Sequence, residues 1–338
     1  MNLKSQSVRH SSARFRPFMV KEKLVTLITV NYNQTAVTCA LLDSIRRQDY
    51  PRTEVIVVDN ASRENPETVL ATRYPEVKFI RSERNLGFAG GNNLAVPAAT
   101  GDYLFFVNND TELTDGCIRR LLALFERNPR IGAASPLICY FNDGSRPRDL
   151  IQYAGMTPVH PVTARNQTIG QKQEDNGQFD SPVPTAYAHG AAMIFPRQVI
   201  ENVGLMADDF FLYYEELDWG ERVRRAGYEI WVEPRAKIYH KESVTVSKLG
   251  ALKTYYLNRN RVWFMRRNFP GWRLWLFYAF LFALTIPKNA VSLLLRGERD
   301  TLRAFLKGIF WNFFPSDNEF EAIRTGSAPT VRLQKQTA

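Results

Sequence analysis

This chain of 338 residues has only three cysteines, Cys39, Cys117 and Cys139. An odd count without metal-binding spacing argues against a disulfide framework and fits a reducing compartment, and small core residues account for all three. Residues 1–23 are basic in places but lack the apolar stretch of a secretory leader, so they are expected to be a flexible tail. No internal repeat is present. No basic glycine-rich loop stands at Asn31 to Thr35, which argues against a site for a nucleoside triphosphate. The chain also lacks an uncharged run of about twenty residues, the length that a bilayer span requires.

What it does have is alternation. Leu24 to Val30 reads as a buried strand ending at Asn31-Tyr32-Asn33, and the residues from Thr35 have helical periodicity behind a Thr35 cap. Glu54 to Val58 is a second strand, ending at Asp59-Asn60-Ala61-Ser62. Pro66 to Tyr74 suits a helix, Val77 to Ile80 a third strand, Gly87 to Ala99 a helix, and Tyr103 to Val107 a fourth strand. Strands separated by helices imply a mostly parallel sheet with helices on both faces. Polar residues collect at the carboxyl ends of strands one, two and four, where open α/β sheets bind ligands. The fourth strand runs into Asn108-Asn109-Asp110-Thr111-Glu112. That pattern is a turn signal, and it is also a place to hold a divalent cation, because Mg2+ and Mn2+ share oxygen ligands between protein carboxylates and substrate phosphates.

The series VNYN (Val30 to Asn33), VVDNAS (Val57 to Ser62), RNLGFAGGNN (Arg84 to Asn93), NND (Asn108 to Asp110) and FFLYYEELDWGERVRRAGY (Phe210 to Tyr228) resembles the inverting family-two glycosyltransferases of GT-A fold, in particular their rhamnosyltransferase-like group. The resemblance covers about Leu24 to Lys248. It implies a Rossmann-like nucleotide-diphospho-sugar transferase domain at 24–250, with a nucleotide-sugar half at 24–135 and an acceptor half at 136–250. It also implies inverting, metal-dependent transfer to a lipid-linked or oligosaccharide acceptor in surface polysaccharide synthesis, with dTDP-rhamnose leading and UDP-sugars behind.

On this resemblance Asp110 is the first ligand of Mg2+ or Mn2+, helped by Asn108, and His240 is the third. Asn108 replaces the aspartate common in the wider family, which removes one charge from the site. The base comes from Glu215-Glu216-Leu217-Asp218, with Glu216 favoured and Asp218 competing; acidic residues that open a helix are also ordinary partners of its dipole. Asp59 is expected to read a pyrimidine ring N–H. Val30, Asn31, Arg84, Asn85, Gly87, Asn108 and Asn109 line the donor site, and Gly90-Gly91 permits either close approach of the ligand or tight packing. Ile138 to Pro184, rich in polar and turn residues, reads as an acceptor-side insertion or lid with a flexible tip near Lys172 to Gln178. His189 and Gly190 fall in the acceptor pocket. Arg259 and Arg261, in a tail motif of the same group, are expected to serve a lipid-linked diphosphate or the headgroup region.

The net charge of +10 is concentrated late, in Arg259, Arg261, Arg266, Arg267, Arg273, Lys288, Arg296, Arg299, Arg303 and Lys307. Among them lies Leu274 to Ile286, thirteen residues without a charge. An anionic membrane surface explains this mixture better than nucleic acid does. Region 251–315 is therefore expected to be a helical appendage associated with the cytoplasmic face of a bacterial inner membrane. It lies on the bilayer or enters partway, with a true span and a buried or oligomer-forming hairpin as the alternatives. Residues 316–338 are expected to form a second tail.

Overall fold

The computed structural model describes residues 22–145, 148–241 and 250–314; the expected tails fall outside the described residues, apart from 22 and 23. Strands β1 (Val25–Asn31), β2 (Thr53–Asn60), β3 (Lys78–Ser82) and β4 (Tyr103–Val107) lie side by side in the order β3-β2-β1-β4, all parallel. Helices α1 (Thr35–Arg46), α2 (Glu67–Arg73) and α3 (Gly87–Ala95) connect them. Alternation along each strand feeds two cores. Leu27, Val57 and Phe105 meet α1 and α4 (Cys117–Arg127) on one face, while Ile28, Val58 and Phe106 meet α3, α5 (Arg197–Val203) and α6 (Glu215–Arg225) on the other. The three cysteines are buried and free. Thr35 opens α1 without capping it. Gln34 holds the cap position and makes no side-chain cap bond.

Beyond β4 the sheet is mixed. β9 (Ala192–Pro196) lies antiparallel to β4, and β6 (Ile131–Tyr140) antiparallel to β9. β10 (Glu229–His240) runs parallel to β6, and β5 (Thr111–Leu113) antiparallel to β10 at the edge. β7 (Ile151–Tyr153) pairs with β6, and β8 (Val183–Thr185) with β10. Because β9 reverses direction twice over, β6 and β10 point the same way as β1, β2 and β4. The carboxyl ends of all five strands, with the amino end of β9, therefore meet on one edge of the sheet.

β10 is much longer than the expected Ile230 to Val232. It continues through a bulge, where Glu233 pairs with Pro136 and Lys237 with Leu137, leaving Pro234, Arg235 and Ala236 as extra residues. Pro234 has no N–H for the ladder. The Glu233 carboxylate holds the bulge by accepting from the Arg235 amide (3.1 Å) and guanidinium (3.0 Å).

The appendage comprises α7 (Gly250–Asn268), α8 (Trp272–Phe280), a π-helical turn (Leu281–Thr285), α9 (Ile286–Leu295) and α10 (Arg299–Trp311). Trp272–Leu295 is a continuous helix of 24 residues, long and apolar enough to cross a membrane by length and composition. The π turn lies just before Pro287, whose ring cannot fit an ordinary α-helical ladder. One stripe, Phe277, Leu281 and Thr285, is buried, and its apolar members pack with Val262 and Phe264 of α7 and Phe305 and Ile309 of α10. Another stripe exposes Trp272, Trp275, Leu284, Leu294 and Leu295.

Candidate active site

The donor corner is a hydrogen-bonded lattice. Asn31, fully buried at the end of β1, donates from Nδ2 to Asp59 Oδ1 (2.9 Å) and Ser62 Oγ (3.2 Å), and accepts from Thr38 Oγ1 (2.8 Å). Asn109 donates to the same Thr38 hydroxyl at 3.0 Å, tying the loop after β4 to β1 through α1. Asp59 is also fully buried. Its Oδ2 accepts the Ser62 N–H (3.2 Å) and lies 3.3 Å from the Arg81 guanidinium. Asp59, expected to read a pyrimidine ring N–H, thus has partners from the chain itself, as a buried charge needs. Arg81, which the sequence reading passed over, is the partly exposed charge at this corner.

Asn60 donates to Asn85 Oδ1 (3.0 Å) and to the Gly87 carbonyl (3.0 Å), and accepts the Leu86 N–H (2.8 Å), so the Asn85–Gly87 wall is fixed in place. Arg84 beside it is exposed. Gly87 has φ +73°, and a Cβ there would come within 2.2 Å of the Phe211 carbonyl oxygen. A Cβ added at Gly91 would meet the Val30 methyls of β1 at 3.1 Å, so this glycine lets α3 close on the sheet, while one at Gly90 would meet Leu86 Cβ, at the start of the same helix, at 2.8 Å.

Asp110 and His240 meet through sheet register. Antiparallel pairing places Thr111 opposite His240, and Asp110, just before β5, then has its Oδ1 3.1 Å from His240 Nε2. His240 Nδ1 lies 2.8 Å from Gln152 Oε1 on β7. An amide oxygen only accepts, so Nδ1 is the donor of this pair and Nε2 is the nitrogen that faces the carboxylate. Two electron-pair donors converging in this way are reconciled by a proton on Nε2 or by a cation between them, and the set of carboxylate, imidazole and outer-shell amide fits a divalent ion. Asn108, partly exposed, adjoins the pair. Glu112 is taken by Lys241 at 2.6 Å.

Another acidic group, Cys139 with Asp149 and Asp175, has the spacing of a metal site. The Lys237 ammonium sits among these residues, 2.5 Å from Asp175 and 3.4 Å from Asp149, and Tyr239 donates to Asp149 at 2.8 Å. That cluster pins the insertion to β10. β7 and β8 also join the sheet, so the described residues of this stretch, 138–145 and 148–184, are attached to the body as an insertion.

The acidic helix start is shaped by an unusual turn. Phe211, Tyr213 and Tyr214 all have positive φ, at 63°, 71° and 75°, and they turn the chain into α6. Glu215 is buried and Glu216 partly exposed. Burial raises the pKa of both, and the neighbouring Glu216 adds to the effect at Glu215. A Cβ added at Gly190 would lie 3.9 Å from Glu216 Cβ and Cγ and 3.8 Å from the Phe88 ring, so the turn before β9, α3 and the Glu216 side chain share one wall. The His189 amide donates to Ser135 Oγ (2.9 Å), and Ser135 donates to the Ala192 carbonyl (2.7 Å). His189 Nδ1 accepts the Ala191 N–H at 3.1 Å, which leaves Nε2 as a hydrogen-bond donor. Burial, aided by His240, lowers the His189 pKa to about 3.

Asp218, the competing candidate for the base, is tied into a network. Its buried carboxylate accepts from Arg222 (3.1 Å), Arg267 (3.1 Å) and Asn268 (2.9 Å), locking α6 to α7. Arg259, expected on the acceptor side, turns inward. The side chain is fully buried, donates to the carbonyls of Asp209 (2.6 Å) and Phe210 (2.9 Å), and stacks against Tyr256 and Trp311. Arg261 donates to the Thr163 carbonyl at 2.6 Å, and burial lowers its pKa, so it braces the insertion. A groove of about 800 Å³ in the appendage, lined by Arg266, Trp275, Tyr278, Phe282 and Phe313, lies apart from this chemistry.

A mixed α/β fold with polar residues gathered at the carboxyl ends of its strands defines a ligand-binding α/β class. The family model for glycosyl transferase family 2 matches residues 26–204, and the chain belongs to that family. It is a glycosyltransferase of glycan or cell-wall polysaccharide biosynthesis with the GT-A fold. It is 24% identical over 235 residues to an N-acetylglucosaminyl-diphospho-decaprenol L-rhamnosyltransferase of Mycobacterium tuberculosis, covering 64% of this chain and 76% of the relative. It is 26% identical over 219 residues to a low-salt glycan biosynthesis hexosyltransferase of Haloferax volcanii, covering 62% and 66%. Among solved structures, a mannosyltransferase of Pyrobaculum calidifontis in complex with GDP-Man and Mn2+ superposes with a TM-score of 0.55 at 16% identity, covering 88% of this chain and 89% of that one. That likeness establishes the fold.

Proposed function

We propose that this glycosyltransferase performs metal-dependent, inverting transfer of a sugar from a nucleotide diphosphate to a lipid-linked glycan, on the cytoplasmic face of a bacterial inner membrane. The leading donor is dTDP-rhamnose, with UDP-sugars as the second reading. The observation that carries the proposal is the meeting, on one sheet edge, of Asp110 with His240 and of Glu216 with Gly190.

In this reading the Asn31, Asp59 and Arg81 corner takes the base and ribose, with Asn85 and Gly87 as its wall. Asp110 and His240, with Asn108, would hold Mg2+ or Mn2+, which when bound would neutralise charge on the departing diphosphate. Glu216 accepts the proton of the acceptor hydroxyl as that oxygen bonds to the anomeric carbon, and the bond from that carbon to the diphosphate oxygen breaks. Partial burial suits Glu216 to this task, because a raised pKa brings a carboxylate nearer the working pH. His189 offers Nε2–H to the cleft. The similarity to the mycobacterial rhamnosyltransferase supports rhamnose and a lipid diphosphate acceptor. The exposed apolar stripe of Trp272–Leu295, with Arg273, Lys288, Arg296 and Arg299 around it, supports attachment to an anionic leaflet.

Calorimetry of a panel of nucleotide sugars with and without Mn2+, followed by NMR of the product's anomeric configuration, tests this reading. Metal-dependent binding of dTDP-rhamnose and an inverted linkage are expected. Binding of no donor, or retained configuration, overturns it.

A further inference from the structure

The buried polar groups of α7 point to a role that neither the family nor the relatives assign. Asn260 is fully buried, and its Nδ2 donates to the carbonyls of Phe210 (2.9 Å), Leu212 (2.7 Å) and Tyr213 (2.9 Å). Arg259 adds two donations, to Asp209 and Phe210, and its Nε bonds Asn260 Oδ1 at 2.8 Å, which fixes the amide orientation. From the other side Asn312, just past the end of α10, donates to the Arg259 carbonyl at 3.0 Å. Four of the five peptide carbonyls from Asp209 to Tyr213, all but that of Phe211, are thus directed into two side chains of another helix. The remaining carbonyl, that of Phe211, accepts the Phe88 N–H at 2.8 Å.

This carbonyl cradle is the stretch that contains the left-handed residues Phe211 and Tyr213 and leads into Tyr214, Glu215 and Glu216. Bulky side chains disfavour positive φ, and such a conformation persists where its surroundings over-determine it. Here the surroundings are Arg259 and Asn260. A buried Arg and Asn used only to fill space would be a poor choice beside the apolar residues that line the rest of this cluster, Val262, Phe264 and Phe305.

We infer that Arg259 and Asn260 are positioning residues for transfer: by gripping the 209–213 carbonyls they set the entry of α6 and thereby the place of the Glu216 carboxylate opposite Gly190. The appendage is then a working part of the catalytic half as well as its neighbour. The inference rests on Glu216 as the base.

The test uses the full chain with Asn260→Ser, Arg259→Lys and, in parallel, Glu216→Gln. Arg259→Lys keeps the charge but cannot span two carbonyls and Asn260 together. For the folded variants turnover should fall about 10- to 100-fold, as expected when a reacting group is misplaced by about 1 Å. Affinity for the nucleotide sugar should fall much less than turnover, since the Asn31–Asp59–Ser62 lattice does not touch the cradle, which meets the donor wall only where the Phe211 carbonyl packs on Gly87 and Phe88. The acidic limb of the turnover profile should also move to lower pH as Glu216 becomes better solvated, a change that general loss of folded protein would not produce. Unchanged turnover and pH profile in a folded variant, or donor affinity and turnover lost in proportion, overturns the inference. So does failure of both variants to fold, which makes the cradle an element of stability alone. Should Glu216→Gln keep full turnover, the base assignment fails; should Glu216→Gln be inactive while the cradle variants match the wild type, only the positioning role fails.

Discussion

His240 and Asp110 face each other across 3.1 Å although 129 residues separate them in sequence, because β5 and β10 pair Thr111 with His240. Asp110→Ala should abolish transfer and Mn2+-dependent donor binding while leaving a folded protein. Gln152→Leu should be subtler. It removes the partner of His240 Nδ1 and should weaken Mn2+ affinity by about 10- to 100-fold, as loss of an outer-shell orienting group does. Titration of Mn2+ into donor-loaded protein reads both, and an unchanged curve for Asp110→Ala refutes the site.

Glu216→Gln keeps size and hydrogen bonding but cannot take a proton. Transfer should drop by about 10²–10⁴-fold with donor binding near normal. Asp218→Asn should act differently, because its carboxylate holds Arg222 and Arg267. Stability should fall by ~1–3 kcal/mol, discounted for the partial exposure of both arginines, with a smaller kinetic loss. Chemical denaturation beside single-turnover rates separates the two, and the reverse ranking would move the base to Asp218.

The buried carboxyl of Glu215 has a raised pKa, so between the ordinary and the raised value the unfolded chain is ionised while the folded chain keeps its proton. The contribution to stability is full below the ordinary value and is lost as pH rises through the raised one. Glu215→Gln should therefore melt with the wild type near about pH 4 and above it at about pH 8. A constant difference across that range would show that burial does not govern this group.

Gly190 lies against Glu216 with room for a methyl group at ordinary contact distance. Gly190→Ala should fold normally and raise the KM for acceptor, leaving the KM for donor unchanged. Equal effects on both substrates would remove Gly190 from the acceptor side.

Replacing Trp275, Leu284 and Leu295 with serine should release the protein from anionic vesicles, since full burial of one large apolar side chain contributes about 1.5–3 kcal/mol. Salt alone should release the wild type only in part. Complete release of the wild type by salt in vesicle flotation would reduce the contact to charge. Truncation after Asn268 is a poorer test, because Phe305 and Ile309 of α10, and Asn312 just past its end, pack on α7 and would be lost with it.

The first four strands were legible because each is a short apolar run closed by polar residues, and Tyr103–Val107 was read to the residue. Asp110 stood out in the same way, at the end of such a run. The other half of the site depends on contacts between distant segments. Nothing local marks Gln152 as the partner of His240, or Arg81 as the partner of Asp59. Arginine is ordinarily a surface residue, so Arg259 read as a ligand for phosphate, whereas an aromatic clamp and two carbonyls keep it inside. The Gly90-Gly91 pair was ambiguous for a different reason: absence of a side chain serves a helix contact and a ligand contact equally well.

The three extra residues at Pro234, Arg235 and Ala236 make β10 a ruler. Beyond them, side chains alternate between the two faces, and their count decides which one arrives beside Asp110. One residue fewer would carry Lys241 to that position and one more would carry Tyr239, replacing the imidazole with an ammonium or a phenol. A change of one residue in chain length, some distance from any reacting atom, would thus rewrite the chemistry beside Asp110 and, by the same slip, turn Ile238 out of the core.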